Sequence, residues 1–534
     1  MAKSLAYQPL NDFGVNGLNT QDNPATLDQS YLTSANNVVL RESGRISFRK
    51  GFKQKVVPTG TAIGSMIEHF DQSVTNGVNK IFASYGTSIY RIDFTAPNAA
   101  FPSSGADVKH TVSGSSGNWQ FVNFNSRLHC FHAGVVPQRY DGSLSSGSRW
   151  TAHATDPASI STLFDPSCGM GFYGRIWCGG VAEAKDVVYY SNLLDGDDWT
   201  GGDTGFIDLK KVWGDDEVVA LAPFYGKLVI FGKENIAIYN SPQTVSSLAL
   251  DEVIRGVGCI ARDSVQAIGD DLVFLSTTGL RSLARTTEKD KLPLTDLTVN
   301  IKDTIIRNIG QSTNVKSVYV ENEGIYIMTF TDKNITYIFD FKHITPEGTP
   351  RITTWSFESD REPSAMIYTE LYSGLLVGQK DGGIAGYEGY FDTDLAWVNS
   401  AASYTNAPIT FDVSSIWVRV GDLAASILKK MILVLEGGSG ATLGLQWYKD
   451  FSINPSATTQ INLNPATSGS VALWGASTSL WGDVKYTPIY GLQEYQTALT
   501  GSAKHLKLNL SIVSNGYNTS LQDLAIISKQ GKIR

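Results

Sequence analysis

Cysteine is scarce in this sequence, and the cysteines that it contains are scattered. The four of them, Cys130, Cys168, Cys178 and Cys259, include no Cys-x-x-Cys pair among 534 residues. A disulfide framework needs a denser pattern, and a cysteine-based zinc site needs closely spaced pairs. We therefore expect four isolated core thiols in a protein that folds in a reducing compartment.

Long apolar runs are also missing. No stretch approaches the roughly 18 consecutive apolar residues of a transmembrane helix, so we expect no membrane segment. The first ten residues lack the apolar core of a secretory signal. These two absences predict a protein that is made and folded in the cytoplasm.

Charge is low for a chain of this length. Charged residues make up 18% of it, below the usual share of about a quarter. The formal net charge of −8 argues against a protein whose whole surface binds nucleic acid electrostatically. Together with 51 glycines, the low charge is typical of a chain with many strands and turns and few long helices.

The short motifs of common enzymes are absent from the sequence. It contains no P-loop (G-x-x-x-x-G-K-[ST]), no H-E-x-x-H zinc motif and no G-x-S-x-G nucleophile elbow. His129 and His132 belong to one dense group of potential metal ligands, but alternation along a strand would send them to opposite faces. We therefore predict no enzymatic activity, no metal at this pair and no cofactor.

A hairpin-like phrase recurs along the chain. In its clearest copy, a turn leads into the apolar run of residues 225–231, and a second strand follows at 235–240. Positions equivalent to Leu228 recur at intervals of about 44 to 53 residues. These anchor positions are Ile81, Leu128, Ile176, Leu228, Leu272, Ile325 and Leu375.

A period of roughly 40 to 50 residues, with every unit readable as short strands, is typical of β-propeller blades. One blade cannot cover both of its apolar faces, whereas radially arranged neighbours cover them for each other. A β-sandwich also has alternating strands, but its turns recur every 8 to 12 residues or so without a longer repeat. We therefore predict an all-β fold with a propeller of six or seven blades.

The limits of the repeat divide the chain into three parts. Residues 1–60 precede it, and we expect them to supply a strand near Phe48 that closes the propeller ring. Residues 61–395 form the propeller, and residues 396–534 form an antiparallel β platform domain. In the platform, the polar stretch 452–475 predicts a protruding loop, and the strict alternation of 505–512 predicts a strand.

One segment inside the propeller breaks the β pattern. Between residues 295 and 309, apolar side chains recur every four residues, at Leu297, Ile301, Ile305 and Ile309. This spacing places them on one face of a helix, and Thr295 is suited to its N-cap. The pattern predicts one short helix between blades, packed on the outside of a blade.

The N-terminal part carries a loose signature. A Gly/Asn-rich opening precedes a polar-Pro phrase, an Asn before an apolar triplet, and a strand that ends in a basic residue, a glycine and an aromatic. The residues are Gly17, Asn23, Pro24, Asn37, Val38, Val39, Leu40, Gly44, Arg45, Arg49, Gly51 and Phe52. In these positions the chain resembles the tail nozzle proteins of short-tailed bacteriophages, also called tail tubular protein B. Lys50 departs from the pattern, because a proline is common there.

The resemblance implies a structural virion protein. It implies a homohexameric ring in the virion tail, below the head-to-tail adaptor protein, that serves as a conduit for genome ejection after synthesis in the host cytoplasm. Tail fibres or tailspikes are further implied partners. The platform would line or abut the channel, and we expect a neutral to acidic wall there, which lets viral DNA pass without specific binding.

Basic residues gather near both ends of the chain. The first group contains Arg41, Arg45, Arg49, Lys50, Lys53 and Lys55, and the second contains Lys529, Lys532 and Arg534. A solvated face is one explanation of both groups. The other is salt bridges to neighbouring subunits, since a ring needs complementary edges. Under this second interpretation, the candidate subunit-interface residues are Arg41, Arg45, Arg49, Lys50 and Lys53.

Two other functions are compatible with a propeller. Propellers host glycoside hydrolases and polysaccharide-binding proteins, and a hydrolase needs two carboxylates about 5 to 10 Å apart, a spacing that a sequence does not display. An interaction hub inside a cell is a third class, against which the phage-like N-terminal signature argues.

Overall fold

The computed structural model describes residues 5–41, 45–74, 76–93, 105, 107–240, 242–284, 296–310, 314–358, 360–372, 374–389, 409–421, 424–437, 441–463, 492–514 and 518–530. Across these ranges the chain is almost entirely β, as predicted. The N-terminal part contributes six strands: β1 (Leu5–Pro9), β2 (Gly17–Leu18), β3 (Tyr31–Asn36), β4 (Val38–Leu40), β5 (Ile46–Phe48) and β6 (Gly51–Val56).

The first four propeller blades follow in chain order, each an antiparallel four-stranded sheet. Blade 1 contains β7 (Ile63–Asp71), β8 (Val78–Tyr85), β9 (Ser88–Ile92) and β10 (Lys109–Thr111). Blade 2 contains β11 (Gln120–Phe124), β12 (Arg127–Phe131), β13 (Gln138–Tyr140) and β14 (Trp150–Ala152). Blade 3 contains β15 (Cys168–Phe172), β16 (Arg175–Val181), β17 (Ala184–Tyr190) and β18 (Gly205–Asp208), followed by a short helix, α1 (Lys210–Trp213). Blade 4 contains β19 (Val218–Phe224), β20 (Lys227–Gly232), β21 (Asn235–Asn240) and β22 (Ala249–Arg255), with a 3₁₀ turn at Val245–Ser247.

A three-stranded unit and two further four-stranded blades complete the ring. The three-stranded unit follows a 3₁₀ turn at Arg262–Ser264 and contains β23 (Gln266–Ile268), β24 (Asp271–Ser276) and β25 (Gly279–Ser282). A 3₁₀ turn at Val299–Ile301 then runs into helix α2 (Lys302–Ile309). Blade 5 contains β26 (Val315–Val320), β27 (Ile325–Phe330), β28 (Ile335–Ile344) and β29 (Pro350–Trp355). Blade 6 contains β30 (Pro363–Thr369), β31 (Gly374–Gln379) and β32 (Ile384–Gly389), and its fourth strand is β6.

The sequence repeat corresponds to these units. Each of the seven anchor residues lies in the second strand of its unit, and all seven are buried. The propeller thus has six four-stranded blades and one smaller unit between blades 4 and 5, which confirms the expected β-propeller. Connections of different lengths between the strands account for the uneven spacing of the anchors.

Apolar layers between neighbouring units hold the ring together. Between blades 5 and 6, Ile327 and Trp355 pack with Val377 and Tyr387. Equivalent buried clusters join the other neighbouring pairs, including blade 6 with blade 1. Because every unit covers the face of the next, the core is distributed around the ring.

The C-terminal part of the chain builds a β-sandwich. Its strands are β33 (Thr410–Ser415), β34 (Val418–Arg419), β35 (Ser426–Gly437), β36 (Thr442–Lys449), β37 (Ala457–Asn462), β38 (Leu492–Ala498), β39 (Ser502–Ala503), β40 (His505–Val513) and β41 (Thr519–Gln530). One sheet has the order β38-β35-β41-β5-β4, with β1 beside β41 and β39 beside β35. The other runs from blade 5 through β2 and β3 to β33, β40, β36 and β37, with β34 beside β40. Leu433, Leu445, Leu510 and Leu524 share one buried cluster between the two sheets.

The sandwich differs from the predicted platform in two respects. The described strands of residues 410–530 pair antiparallel with one another, as predicted, but the larger sheet as a whole is mixed, because β2 runs parallel to β3 and β29. The predicted loop 452–475 contains β37, a polar edge strand whose side chains alternate in exposure. Because most of these side chains are polar, the sequence shows no apolar alternation that would have predicted a strand. Residues 464–475 of that loop lie outside the described residues. The strand predicted at 505–512 is confirmed as β40, and its leucines are buried at every second position.

Ring closure uses a neighbouring strand rather than the predicted one. The strand that contains Phe48, β5, pairs with β4 and β41 in the sandwich. The next strand, β6, pairs with β32 and closes the propeller. In β5, Ser47 separates Ile46 from Phe48, whereas in β6 the polar Gln54 lies on the same face as Phe52 and Val56, so the local pattern favoured β5. The closing strand nevertheless comes from residues 1–60, as expected.

The predicted helix is present but starts later. Asp296 forms a β-bridge with Arg281, so the backbone is extended where the helix was expected to begin, and Thr295 lies outside the described residues. Ile301 and Ile305 are buried, and Asn308 donates a hydrogen bond to the Tyr337 hydroxyl at 2.8 Å. Helix α2 packs against the three-stranded unit and blade 5, which confirms a short helix between blades.

Candidate functional site

The five candidate interface residues do not form one surface. Arg41 and Arg45 border a cleft between the propeller and the sandwich. Arg49 is buried, and Lys50 and Lys53 lie at or in the strand that closes blade 6.

Arg49 lies at the joint between propeller and sandwich and is 2% exposed. Its Nε donates to Asn37 Oδ1 at 2.8 Å, Nη1 donates to the Lys50 carbonyl at 3.0 Å, and Nη2 donates to the Ser356 carbonyl at 3.2 Å. Its guanidinium lies 5.3 to 5.6 Å from three ring centroids, those of Phe52, Trp355 and Phe357. A side chain enclosed in this way cannot face a neighbouring subunit, so the interface assignment of Arg49 is wrong.

Asn37 shares this joint with Arg49. It adopts the left-handed backbone conformation (φ 56°), which asparagine tolerates better than most residues. Its Nδ2 donates to Ser356 Oγ at 2.8 Å and to the Thr410 carbonyl at 2.9 Å. Since Ser356 follows blade 5 and Thr410 begins β33, Asn37 ties the propeller to the sandwich.

Lys50 also makes its contacts inside the chain. Its Nζ lies 2.5 Å from Glu323 Oε1 and 5.5 Å from the ring centroid of Tyr387. The Lys50 backbone N–H donates to the Tyr387 hydroxyl at 3.1 Å. Lys55 forms an ion pair with Glu388 in the same sheet. Lys50 thus joins the closing strand to blade 5 and Lys55 pairs within blade 6, while the assignment of the partly exposed Lys50 to a subunit interface stays a prediction.

The cleft beside Arg41 and Arg45 has a volume of about 470 Å³. It lies between β4 and β5, blade 5, and the ends of β35 and β41. Its charged lining residues are Arg41, Arg45, Glu323, Asp340, Lys342, Arg351 and Glu436. Because its lining contains charges of both signs, the cleft suits a polar protein segment better than an apolar ligand or a polyanion.

Two ion pairs line this cleft. Arg351 and Asp340 are 2.5 Å apart and nearly buried, so their pair is part of the core of blade 5. Arg45 and Glu436 are 3.3 Å apart and partly exposed. An exposed ion pair contributes about 0 to 1 kcal/mol to stability, so Arg45 can leave Glu436 and pair with another carboxylate.

A second, smaller pocket lies where the first strands of several units converge. Its volume is about 250 Å³, and Ser65, Gln120, Gln266, Ser317 and Met366 are among its lining residues. The pocket is closed on one side by three charged residues, Arg262, Asp263 and Lys316. We call these three residues the axial ion cluster.

The axial ion cluster is tightly bonded. Arg262 Nε donates to Asp263 Oδ1 at 2.7 Å, and Lys316 Nζ donates to Asp263 Oδ2 at 2.5 Å. Although burial opposes ionisation, Arg262 and Lys316 hold the pKa of the Asp263 carboxyl well below its usual range. Arg262 also donates to the Ser167 carbonyl at 2.6 Å, which links blade 3 to the cluster.

Sequence reasoning did not identify the axial ion cluster, although the repeat held a signal. Arg262 and Asp263 come directly before the first strand of the three-stranded unit, and Lys316 is in the first strand of blade 5. Equivalent positions in a propeller meet at the axis. Charged residues at those positions were therefore candidates for contact across the ring.

The four cysteines are buried and free. Burial raises the pKa of the Cys168 thiol to about 12 and that of Cys259 to about 11. It also raises the pKa values of Cys130 and Cys178. The expectation of isolated core thiols is confirmed, and thiols of this kind are poor nucleophiles.

His129 and His132 make separate contacts, as strand alternation predicted. His129 Nδ1 lies 3.0 Å from His153 Nε2, whereas His132 Nε2 accepts a hydrogen bond from the Ser116 backbone N–H at 3.0 Å. Among the helices that the structure describes, none has the length and apolar character needed to cross a membrane.

Comparison with known proteins leaves the family resemblance untested. No family model matches this chain, and no curated protein matches it. The function is therefore argued from the fold and from the residues described above.

Proposed function

We propose that this protein is a structural subunit of a short phage tail, a nozzle protein that forms a homohexameric ring below the head-to-tail adaptor. In this role it is not an enzyme, and it needs no cofactor. Its partners are other copies of the chain, the adaptor and, at the periphery, tail fibres or tailspikes. The viral DNA passes through the ring on ejection.

One observation carries this proposal: the residues of the N-terminal signature build the joint between propeller and sandwich. Gly17 has φ +77°, and a Cβ there would lie 2.6 Å from the Ile352 carbonyl oxygen in blade 5. Asn37 donates hydrogen bonds to Ser356 on the propeller side and to Thr410 on the sandwich side, Arg49 donates to the Ser356 carbonyl, and Gly51 begins the strand that closes the ring. The signature residues thus stabilise the junction between the propeller and the platform, which is a physical reason for this signature to occur in proteins that contain both.

The lining of the axial pocket favours this role over a glycoside hydrolase. Hydrolases of this kind need two carboxylates about 5 to 10 Å apart, one of which must be protonated. Of the described residues that line the pocket, Asp263 is the one carboxylate, and two cations keep it ionised. An acid held in this state cannot donate a proton to a leaving group at neutral pH.

The decisive measurement is the assembly state of the purified full chain. We expect particles of about six chain masses in mass photometry and ring-shaped views with a central hole in negative stain. The ring is expected to bind the adaptor ring when the two are mixed. A stable monomer across the accessible concentration range, combined with turnover of a bacterial polysaccharide, would overturn the proposal in favour of the hydrolase.

A charge reversal tests one exposed interface candidate, Arg45. Arg45→Glu is expected to reduce ring formation at low salt, because it removes a cation from the subunit edge. The double reversal Arg45→Glu with Glu436→Arg restores the pair within the chain. If the double variant assembles like wild type, Arg45 serves Glu436 alone; if assembly stays reduced, Arg45 also contacts a neighbour.

We further propose that the channel wall is neutral to acidic. Duplex DNA carries one negative charge about every 1.7 Å of helix axis, so a basic wall would hold the genome by counterion release. The assembled ring is therefore expected to show weak binding of labelled duplex DNA with little salt dependence in fluorescence anisotropy. A steep loss of affinity between about 50 and 200 mM salt would instead indicate a basic wall.

A further inference from the structure

Three potential metal ligands meet in a buried cluster between blades 2 and 3. His129 is in β12, His153 follows β14, and Asp197 lies in the loop between β17 and β18. All three residues are buried. The two histidines are 24 residues apart and the aspartate belongs to the next blade, so the tertiary fold alone brings them together.

The spacing of the three ligand atoms suits a metal ion. His129 Nδ1 and His153 Nε2 are 3.0 Å apart, and Asp197 Oδ1 lies 3.7 Å from the first and 3.5 Å from the second. A point equidistant from these three atoms is about 2.0 Å from each, close to the Zn–N and Zn–O distances of about 2.0 to 2.2 Å. The site thus has the dimensions of a zinc site.

Asp197 supplies an independent observation. Its Oδ1 is buried and has no hydrogen-bond partner among the described residues, whereas Oδ2 pairs with Arg139. The distances from Oδ1 to the two imidazole nitrogens, 3.5 and 3.7 Å, are too long for good hydrogen bonds. A buried carboxylate oxygen without a partner is costly unless something binds it.

The charge of the surroundings permits a cation. Arg127 and Arg139 are offset by three carboxylates, those of Asp141, Asp195 and Asp197, all of which interact with these arginines. Two arginines and three aspartates leave one formal negative charge, which a bound cation would offset.

We propose that His129, His153 and Asp197 bind a divalent cation of the zinc class and thereby fasten the loop of blade 3 to blade 2. Two imidazoles and one carboxylate form a donor set that suits Zn²⁺, Co²⁺ and Ni²⁺. The role is structural, because the ion joins a loop to a neighbouring blade. Binding of this cation is independent of the proposed role of the protein in a phage tail.

Trp199 gives the site a distinguishing property. Its Nε1–H, which can only donate, lies 3.1 Å from His153 Nδ1, so without a metal the His153 proton is on Nε2. When Nε2 binds the ion, that proton moves to Nδ1 and the hydrogen bond from Trp199 is lost. The competing donor is absent from Trp199→Phe, which is therefore expected to bind the cation more tightly than wild type.

Cobalt titration tests the proposal on the full-length protein. We expect one Co²⁺ per chain, with the visible absorption of a low-coordinate site, displacement by Zn²⁺ and a raised melting temperature. His153→Gln and Asp197→Asn are expected to lower the affinity more than about tenfold, because each removes a ligand. His132→Gln, at a position that directly follows β12 and lies outside the cluster, is the matched control and should bind like wild type.

Three results would overturn the assignment. They are the absence of stoichiometric binding by wild type, equal affinity in His153→Gln and His132→Gln, and weaker binding by Trp199→Phe than by wild type. Circular dichroism checks that each variant is folded. Since Trp199→Phe retains all three ligands, it keeps the test valid if a ligand variant fails to fold.

Discussion

Arg49 is among the largest fully buried side chains of the protein, and it carries a formal charge. Burying a charged group is costly unless hydrogen bonds and nearby charges or rings compensate for the lost water. Asn37, the Lys50 carbonyl and the Ser356 carbonyl provide acceptors, and the faces of Phe52, Trp355 and Phe357 add cation–π contacts. Arg49 therefore organises the joint through geometry as well as charge.

Replacing Arg49 with lysine should expose this dependence on geometry. Lysine keeps the charge but cannot bond Asn37, Lys50 and Ser356 at once through a planar fork. We expect Arg49→Lys to lower the free energy of unfolding by about 2 to 4 kcal/mol, measured by urea denaturation. Arg45→Lys, at a partly exposed site, is the control and should change it by less than about 0.5 kcal/mol. Equal effects of the two variants would contradict the role of Arg49.

Buried histidines predict the response to acid. Burial lowers the pKa of His69 and that of His132 in the folded protein. The unfolded chain takes up these protons below about pH 6.5, whereas the folded chain resists them. Stability is therefore fully present above about pH 6.5 and falls as the pH drops below it. Urea midpoints at a series of pH values measure this loss.

His132→Gln serves as the test of that mechanism. His132 Nε2 accepts a hydrogen bond from the Ser116 backbone N–H, and the glutamine oxygen can accept in the same way without titrating. The variant is expected to lose less stability than wild type between about pH 7 and pH 5. If the two proteins show the same pH dependence, His132 does not contribute to it.

At the scale of elements, the propeller depends on one strand that is distant in sequence. Strand β6 supplies the fourth strand of blade 6, and Phe52 within it packs against Trp355, Phe357 and Tyr387. Closing the ring in this way joins the start of the repeat region to its end. Loss of this strand leaves an open edge and an uncovered apolar face.

Phe52→Ala tests the contribution of the closing strand. Phe52 is 2% exposed, so removing its ring leaves a cavity at the seam and should cost about 3 to 5 kcal/mol of unfolding free energy. Phe206→Ala, at a site that is 56% exposed on the outer strand of blade 3, should cost less than about 1 kcal/mol. Chemical denaturation of the two variants gives the comparison, and similar losses would rule out a special role for β6.

At the scale of the whole molecule, the propeller and the sandwich share one sheet. Blade 5 continues through β2 and β3 into β33 and β40. The register joins Gly17 with Ile352 and Asn36 with Thr354. Separating the two parts therefore requires breaking backbone hydrogen bonds, not only side-chain contacts.

We predict that blade 5 and the sandwich unfold as one cooperative unit. Hydrogen–deuterium exchange with mass spectrometry at increasing urea concentrations should show peptides from β28, β29, β33 and β40 losing protection at the same concentration. The edge strand β37 should lose protection earlier, because its described pairing is with β36 alone. Loss of protection in β33 and β40 well before β28 and β29 would indicate two independent domains.

Local pattern determined much of this architecture. The anchors spaced about 44 to 53 residues apart predicted the propeller because each unit repeats the same hairpin. Leu506, Leu508, Leu510 and Ile512 predicted β40 because side chains in a strand alternate between faces. The four-residue spacing of Ile301 and Ile305 likewise predicted α2. These features depend on neighbours in sequence, so the sequence alone contains them.

The tertiary structure decided which strands pair and which charges are buried. Strands β5 and β6 are neighbours in sequence, and only long-range pairing assigns β5 to the sandwich and β6 to blade 6. In the sequence, nothing distinguishes Arg49 from an exposed arginine. In the structure, Trp355 and Phe357 enclose its side chain. His129 likewise meets its partner His153 across blade 2 rather than its sequence neighbour His132. Contacts between residues far apart in the chain depend on the whole set of strand pairings, which local periodicity does not encode.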